Sequence, residues 1–79
     1  MSPTVFRVGQ LRFFFFSREE KRAHIHVLGP DGEAKIWIEP EIAVARNAGL
    51  PRRALRRAVE IVREREDEIR EAWRRHFER

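Results

Sequence analysis

Two periodicities divide the chain. Through its first half, apolar residues alternate with polar ones in short runs rich in aromatic and β-branched side chains, the pattern of strands with one buried face. The runs are residues 4–8, 11–16, 23–28 and 33–38. Between them stand Gly9-Gln10, which suits a two-residue hairpin turn, a charged stretch over 17–22, and Gly29-Pro30-Asp31-Gly32, a turn by composition. After Pro40, residues 41–45 fit either a short fifth strand or an irregular connector. Asn47 and Gly49 both tolerate positive φ, which suits a bend ahead of the second half.

From Pro51 onward the period changes. Leu55, Val59, Val62, Ile69, Trp73 and Phe77 fall on one stripe at spacings of three, four and seven, with Ala58 and Ala72 beside them. Pro51 suits a first helical position, where its missing N–H costs nothing. The expectation is one helix over about 51–77, roughly 40 Å long at 1.5 Å per residue. Strands of six residues span only about 20 Å. Such a helix would overhang its sheet, and its Trp73–Phe77 end would call for a second surface, a dimer mate or a partner. The predicted fold is therefore α+β: one domain over 1–79, with an antiparallel sheet of three to five strands at about 4–45 and one long C-terminal helix packed on one face.

Strand alternation sorts the side chains into two sets. Leu11, Phe13, Phe15, Ile25, Val27, Ile36 and Ile38 form the apolar face that the helix is expected to cover. Arg12, Phe14, Phe16, His24, His26, Lys35 and Trp37 fall on the other. One helix covers one face of an antiparallel sheet, so the second face is left to water or to a partner. Aromatics interleaved with cations suit single-stranded RNA, with bases stacked on the rings and phosphates held by the charges. Exposed aromatic patches also mark protein contacts, and that alternative stays open.

Composition narrows the class. Seventy-nine residues make one small domain at most, and a composition 42% hydrophobic and 38% charged is that of a globular chain. No apolar run is longer than four residues, as in Phe13-Phe14-Phe15-Phe16, far short of a membrane span, and no signal-like apolar region opens the chain. With no cysteine, disulfides are excluded, which fits a cytoplasmic setting. The net charge of +4 favours an anionic partner. Arg52, Arg53, Arg56, Arg57 and Arg63 face a single acid, Glu60, over the start of the helix, a candidate phosphate-contacting cluster. Fifteen of the seventeen basic residues are arginine, a bias that genome composition explains equally well. Beyond Glu64 both signs interleave, as on a solvated helix face.

The one constellation with chemistry in it is His24-Ile25-His26. Two residues apart on a strand, the imidazoles project from the same face. As general acid and base they would serve RNA cleavage, with Arg12, Arg18 or Arg22 stabilising phosphate charge. As metal ligands they would need a third group, for which Glu33, Glu39 and His76 are the candidates. As structure, they cover a half-exposed sheet. No nucleophile elbow and no phosphate-cradling glycine loop is present, and no cofactor is expected.

Several stretches resemble a family of small bacterial proteins catalogued only as a domain of unknown function: Phe14-Phe15-Phe16-Ser17-Arg18-Glu19-Glu20, His24-Ile25-His26-Val27, Ala34-Lys35-Ile36-Trp37-Ile38-Glu39-Pro40, Ala45-Arg46-Asn47-Ala48-Gly49-Leu50 and Ala72-Trp73. The resemblance covers almost the whole chain. It implies bacterial origin and a two-gene module of the toxin–antitoxin kind, in which a small protein encoded nearby is the partner. It assigns no catalytic residue, and points to Arg18, Glu19, His24, His26, Trp37, Glu39 and Asn47. Pro51 departs from the Ser-like helix cap of the family pattern. A looser similarity, His26-Val27-Leu28 to the strand histidine of messenger-RNA interferase toxins, lacks the helix those toxins carry ahead of the sheet.

The functional expectation is a toxin-like, RNA-directed protein, a ribonuclease using His24 and His26 with Arg18 or Arg22 as phosphate stabiliser. Arg12, Phe14, Phe16, Lys35 and Trp37, with Arg52, Arg53, Arg56 and Arg57, would contact RNA or DNA, and Trp73 and Phe77 would form a homodimer. The alternative is a non-catalytic interaction or nucleic-acid-binding module, an antitoxin or regulator acting through a protein partner.

Overall fold

Each strand lies beside the one before it in sequence. The computed structural model describes residues 4–16 and 21–77. It contains β1 (Thr4–Val8), β2 (Leu11–Phe14), β3 (His24–Leu28), β4 (Glu33–Trp37) and β5 (Ala43–Ala48), then α1 (Arg52–Glu64) and α2 (Glu66–Phe77). The sheet is an open antiparallel meander in the order β1-β2-β3-β4-β5. Gly9, at φ 58°, turns β1 into β2, and the Gly29 N–H donates to the Gly32 carbonyl at 2.9 Å in the turn from β3 to β4. The fifth strand forms, but over Ala43–Ala48 rather than 41–45. Pro40 has no N–H to give the ladder, so pairing resumes beyond it, at Ala43 opposite Trp37.

The apolar set selected by alternation is the core face of the sheet. Phe13↔Val27 and Ile25↔Ile36 are cross-strand pairs on that side, buried against Ala58, Ile61, Val62 and Ile69 of the helices. Each of the larger apolar side chains contributes about 1.5–3 kcal/mol by leaving water. Every member of the set, from Leu11 to Ile38, is buried.

The single long helix is not what forms. The chain breaks at Arg65, whose φ of −115° leaves the helical region. The hydrogen bonds Arg65 N–H to Ile61 C=O (2.9 Å) and Ile69 N–H to Arg65 C=O (3.0 Å) continue across the break. Between Val62 and Ile69 come six polar residues, so no apolar side chain holds that turn against the sheet. Arg65 instead lies over the Phe6 ring, 4.3 Å from its centroid. No dimension of the molecule, 35 × 26 × 20 Å, reaches the length of a straight helix. The expected overhang is absent because α2 turns onto its own chain. Pro51 is also one place earlier than expected: it is the residue before the helix (ψ 155°), and its carbonyl accepts the Leu55 N–H at 2.9 Å. Among the described residues no helix is long and apolar enough to cross a membrane.

Asn47 serves the bend by a different route from the one anticipated. Among the described residues only glycines have positive φ; Asn47 remains in β5, and its side chain brackets Leu50. Its Nδ2 donates to the Leu50 carbonyl (2.9 Å), while its Oδ1 accepts the Leu50 N–H (3.0 Å). Gly49, at φ 99°, makes the turn itself.

Candidate functional site

β3 places His24 and His26 on the face away from α1, opposite Trp37 and Lys35 of β4, with Phe14 of β2 opposite His26. The middle of that face is not left to water, although Phe16 stays exposed. His24 is 0% exposed and His26 6%, and Phe14 is buried with them. The two imidazoles lie 5.0 Å apart, centroid to centroid, and nearly perpendicular. Phe14 stacks on His26 at 5.4 Å, and Phe16 meets it edge-on at 4.4 Å. Trp37 meets His24 edge-on at 5.5 Å.

Trp73 closes the group. The β2–β3 ladder ends at the pair Phe14↔His26, so the β2 backbone does not continue beside His24. The Trp73 ring comes to 5.3 Å from His24 and 5.4 Å from Phe15. A side chain of α2 thus touches residues belonging to both faces of the sheet, which the break at Arg65 makes possible. Trp73 is itself buried and Phe77 half-buried against it, so this end of the chain finds its second surface internally.

The His24 tautomer follows from its partner. Its Nδ1 lies 2.8 Å from the Arg22 carbonyl oxygen; a carbonyl only accepts, so Nδ1 carries the proton and a neutral ring holds its lone pair on Nε2. Around this pair sits a charged border. The Arg22 guanidinium lies over Trp37 at 4.0 Å while its Nε donates to the Glu39 carbonyl at 2.7 Å. The Lys35 ammonium is 4.5 Å from the same ring and Arg12 is 4.5 Å from the Phe14 ring. Arg12 also donates to the Thr4 hydroxyl at 2.7 Å.

Arg70 ties this border to α2, a role that sequence reasoning missed. It donates to Glu39 (3.0 Å), Glu66 (2.8 Å) and the Ile38 carbonyl (3.1 Å). The hydrogen bond to Glu66, reinforced by the charges of Glu66 and Glu39, raises its pKa further above the usual arginine value. The signal available was Glu66 four residues before an arginine in a helix; the other two contacts come from the end of β4, far away in the chain.

The remaining predicted residues are dispersed. Arg18 and Glu19 lie outside the described residues. Arg52, Arg53, Arg56 and Arg57 are on α1, in the layer on the opposite side of the sheet from the histidines, with Arg57 paired to Glu60 at 3.4 Å. Arg53 and Arg57 border an open groove of about 620 Å³ between α1 and the turns at Gly9 and Pro30. Glu39 is engaged by Arg70, and His76 lies 6.1 Å from Phe15 in a stacked arrangement. Among the described residues no three His, Asp or Glu side chains converge on a metal position. The group at His24 and His26 is therefore an aromatic box with a basic rim. It holds an imidazole whose Nδ1 carries a proton, but without an open approach to it.

No curated protein and no solved structure matches the chain. The family profile described as Domain of unknown function (DUF4160) matches residues 11–74, from the start of β2 to the residue after Trp73, and so takes in every element of the box. The chain belongs to this family of domains of unknown function.

Proposed function

We propose that the protein is a non-catalytic interaction module, the antitoxin-like or regulatory member of a bacterial two-gene module of the toxin–antitoxin kind. In this adaptor role it acts in the cytoplasm by engaging a small protein partner encoded nearby. The burial of His24 and His26 carries this reading. General acid–base cleavage of RNA needs both imidazoles within about 3 Å of the 2′-hydroxyl and the leaving oxygen. Here rings of Phe14, Phe16, Trp37 and Trp73 occupy the space around them. Trp37, offered as a stacking floor for bases, already carries Arg22 and Lys35 close to its ring.

The test is a fluorogenic single-stranded RNA incubated with the wild-type protein and with His26→Asn. Equal, background cleavage by both is the expected result. Cleavage by the wild type that His26→Asn abolishes while its circular dichroism is unchanged would replace the adaptor reading with the ribonuclease reading.

That second reading is favoured by one observation, the Nδ1–H bond that aims the lone pair of His24 through Nε2. In it, His24 and His26 are the acid–base pair, Arg18 or Arg22 steadies the phosphate, and Phe16, the exposed member of the box, moves aside. Arg52, Arg53, Arg56 and Arg57 would hold nucleic acid from the other layer; binding there would fall steeply with salt.

A further inference from the structure

The sheet has two edges of unlike character. β1 carries half-buried Val5, Phe6 and Val8 and a register irregularity between Thr4 and Phe6. β5 is exposed at all six positions, with no proline or lysine and a single charged residue, Arg46. An edge strand offers a row of main-chain N–H and C=O groups, and charge, proline or a covering element ordinarily protects it. β5 has little of that protection. Its two faces also differ. The irregularity between Lys35 and Ile36 sets Val44 opposite Ile36, on the helix side, and Arg46 opposite Lys35, on the other. Val44 is 42% exposed. A strand laid along β5 would meet an apolar side chain on one face and the cation Arg46 on the other, with Lys35 one strand further in.

We propose that β5 is a docking strand for an extended segment of a protein partner in which carboxylate and apolar side chains alternate. This rests on the adaptor reading and names the surface and the chemistry of its partner. The segment continues the main-chain ladder, its apolar side chains cover Val44, and its carboxylates face Arg46. Charge selects this occupant over a second copy. Antiparallel pairing of β5 with itself puts Arg46 and Lys35 of both copies on the same face of one continuous sheet, in a chain of net charge +4, and opposed like charges destabilise such pairs.

The full chain, ¹⁵N-labelled, is titrated at low salt with a synthetic peptide of about eight residues alternating Glu and Val, a typical strand length. A Lys–Val peptide of equal length is the control. The amides of Ala43–Ala48 are expected to shift and to gain protection from exchange with the Glu–Val peptide. Binding of the Lys–Val peptide is expected to be about tenfold weaker, the effect of turning the cross-strand pair with Arg46 from attraction to repulsion. Arg46→Glu, an exposed change that leaves the core intact, should reverse that preference. Equal affinity for the two peptides would overturn the proposal, as would shifts confined to residues outside β5. So would β5 amides already protected without peptide in a concentration-dependent dimer. The peptide titration and the RNA assay fail separately: His26-dependent cleavage removes the adaptor reading whatever β5 binds. An inert RNA assay with β5 unmoved by the Glu–Val peptide removes only the docking strand.

Discussion

The imidazole of His24 and the indole of Trp73 lie 5.3 Å apart, joining a strand residue of the outer sheet face to a helix that packs on the inner one. His24 shares that face with Trp37 and His26, whereas Trp73 also packs on Phe15 and Phe77. One side chain of α2 therefore locks the aromatic box to the hydrophobic core.

Trp73→Ala should cost about 3–5 kcal/mol, the range for deleting a large buried aromatic. Urea unfolding measures it. The same variant should loosen the histidine box, which the exchange rates of the His24 and His26 amides would report. A loss below about 1 kcal/mol would mean that the indole is not packed as described.

Gly49→Ala should cost about 1–3 kcal/mol, the scale of a non-glycine residue held in a sparsely populated backbone region. The cause is twofold. Gly49 sits at φ 99°, and a Cβ there would come 2.8 Å from the Asp31 carbonyl oxygen. Thermal melts of the variant against the wild type would show the loss, and an unchanged melting temperature would contradict the turn geometry.

Arg70→Met keeps the aliphatic stem while removing the contacts to Glu39, Glu66 and the Ile38 carbonyl. An expected loss of about 1–2 kcal/mol follows from one charge-assisted bond to a partly buried carbonyl, one partly buried ion pair and one exposed one. Glu39→Gln should lose less, because Arg70 keeps its other two acceptors. A double-mutant cycle over Arg70 and Glu39 separates the direct pair from the rest.

Glu71 should titrate below the ordinary glutamate range. Its hydrogen bond from Arg74 at 2.6 Å is the main cause, with the charge of Arg74 and then Arg75 adding to it. Because the folded value is depressed, the pair's contribution is present above the ordinary unfolded glutamate pKa and is lost as pH falls through the folded one. Carboxyl ¹³C shifts followed against pH would show this, and Arg74→Ala should return Glu71 toward the ordinary value.

The aromatic box was half legible. Alternation placed His24, His26, Phe14 and Trp37 on one face, because successive side chains of a strand must point to opposite sides. It did not reveal that His24, His26 and Phe14 are buried there. Trp73 reaches His24 from the far end of the chain, a relation that no local period contains.

The helical half shows the same division. Of the stripe from Leu55 to Phe77, Val62, Ile69 and Trp73 are buried and Leu55, Val59 and Phe77 half-buried, whereas Ile61, outside the stripe, is buried beside Ala58. The polar stretch from Arg63 to Glu68 was equally visible, but its consequence was not. Whether six polar residues bend a helix or merely face water depends on what the next apolar residues find to pack on, and Trp73 finds Phe15 and His24.

The strands, the helical stretch and the two faces of the sheet were thus readable from the order of residues, because each is set by the local geometry of a chain whose side chains alternate or spiral. The break at Arg65, the burial of His24 and His26, the link from Arg70 to Glu39 and the full exposure of β5 emerged only on folding. Each of these depends on which distant segments return to cover a residue, and burial is a property of the assembled layers rather than of any stretch within them.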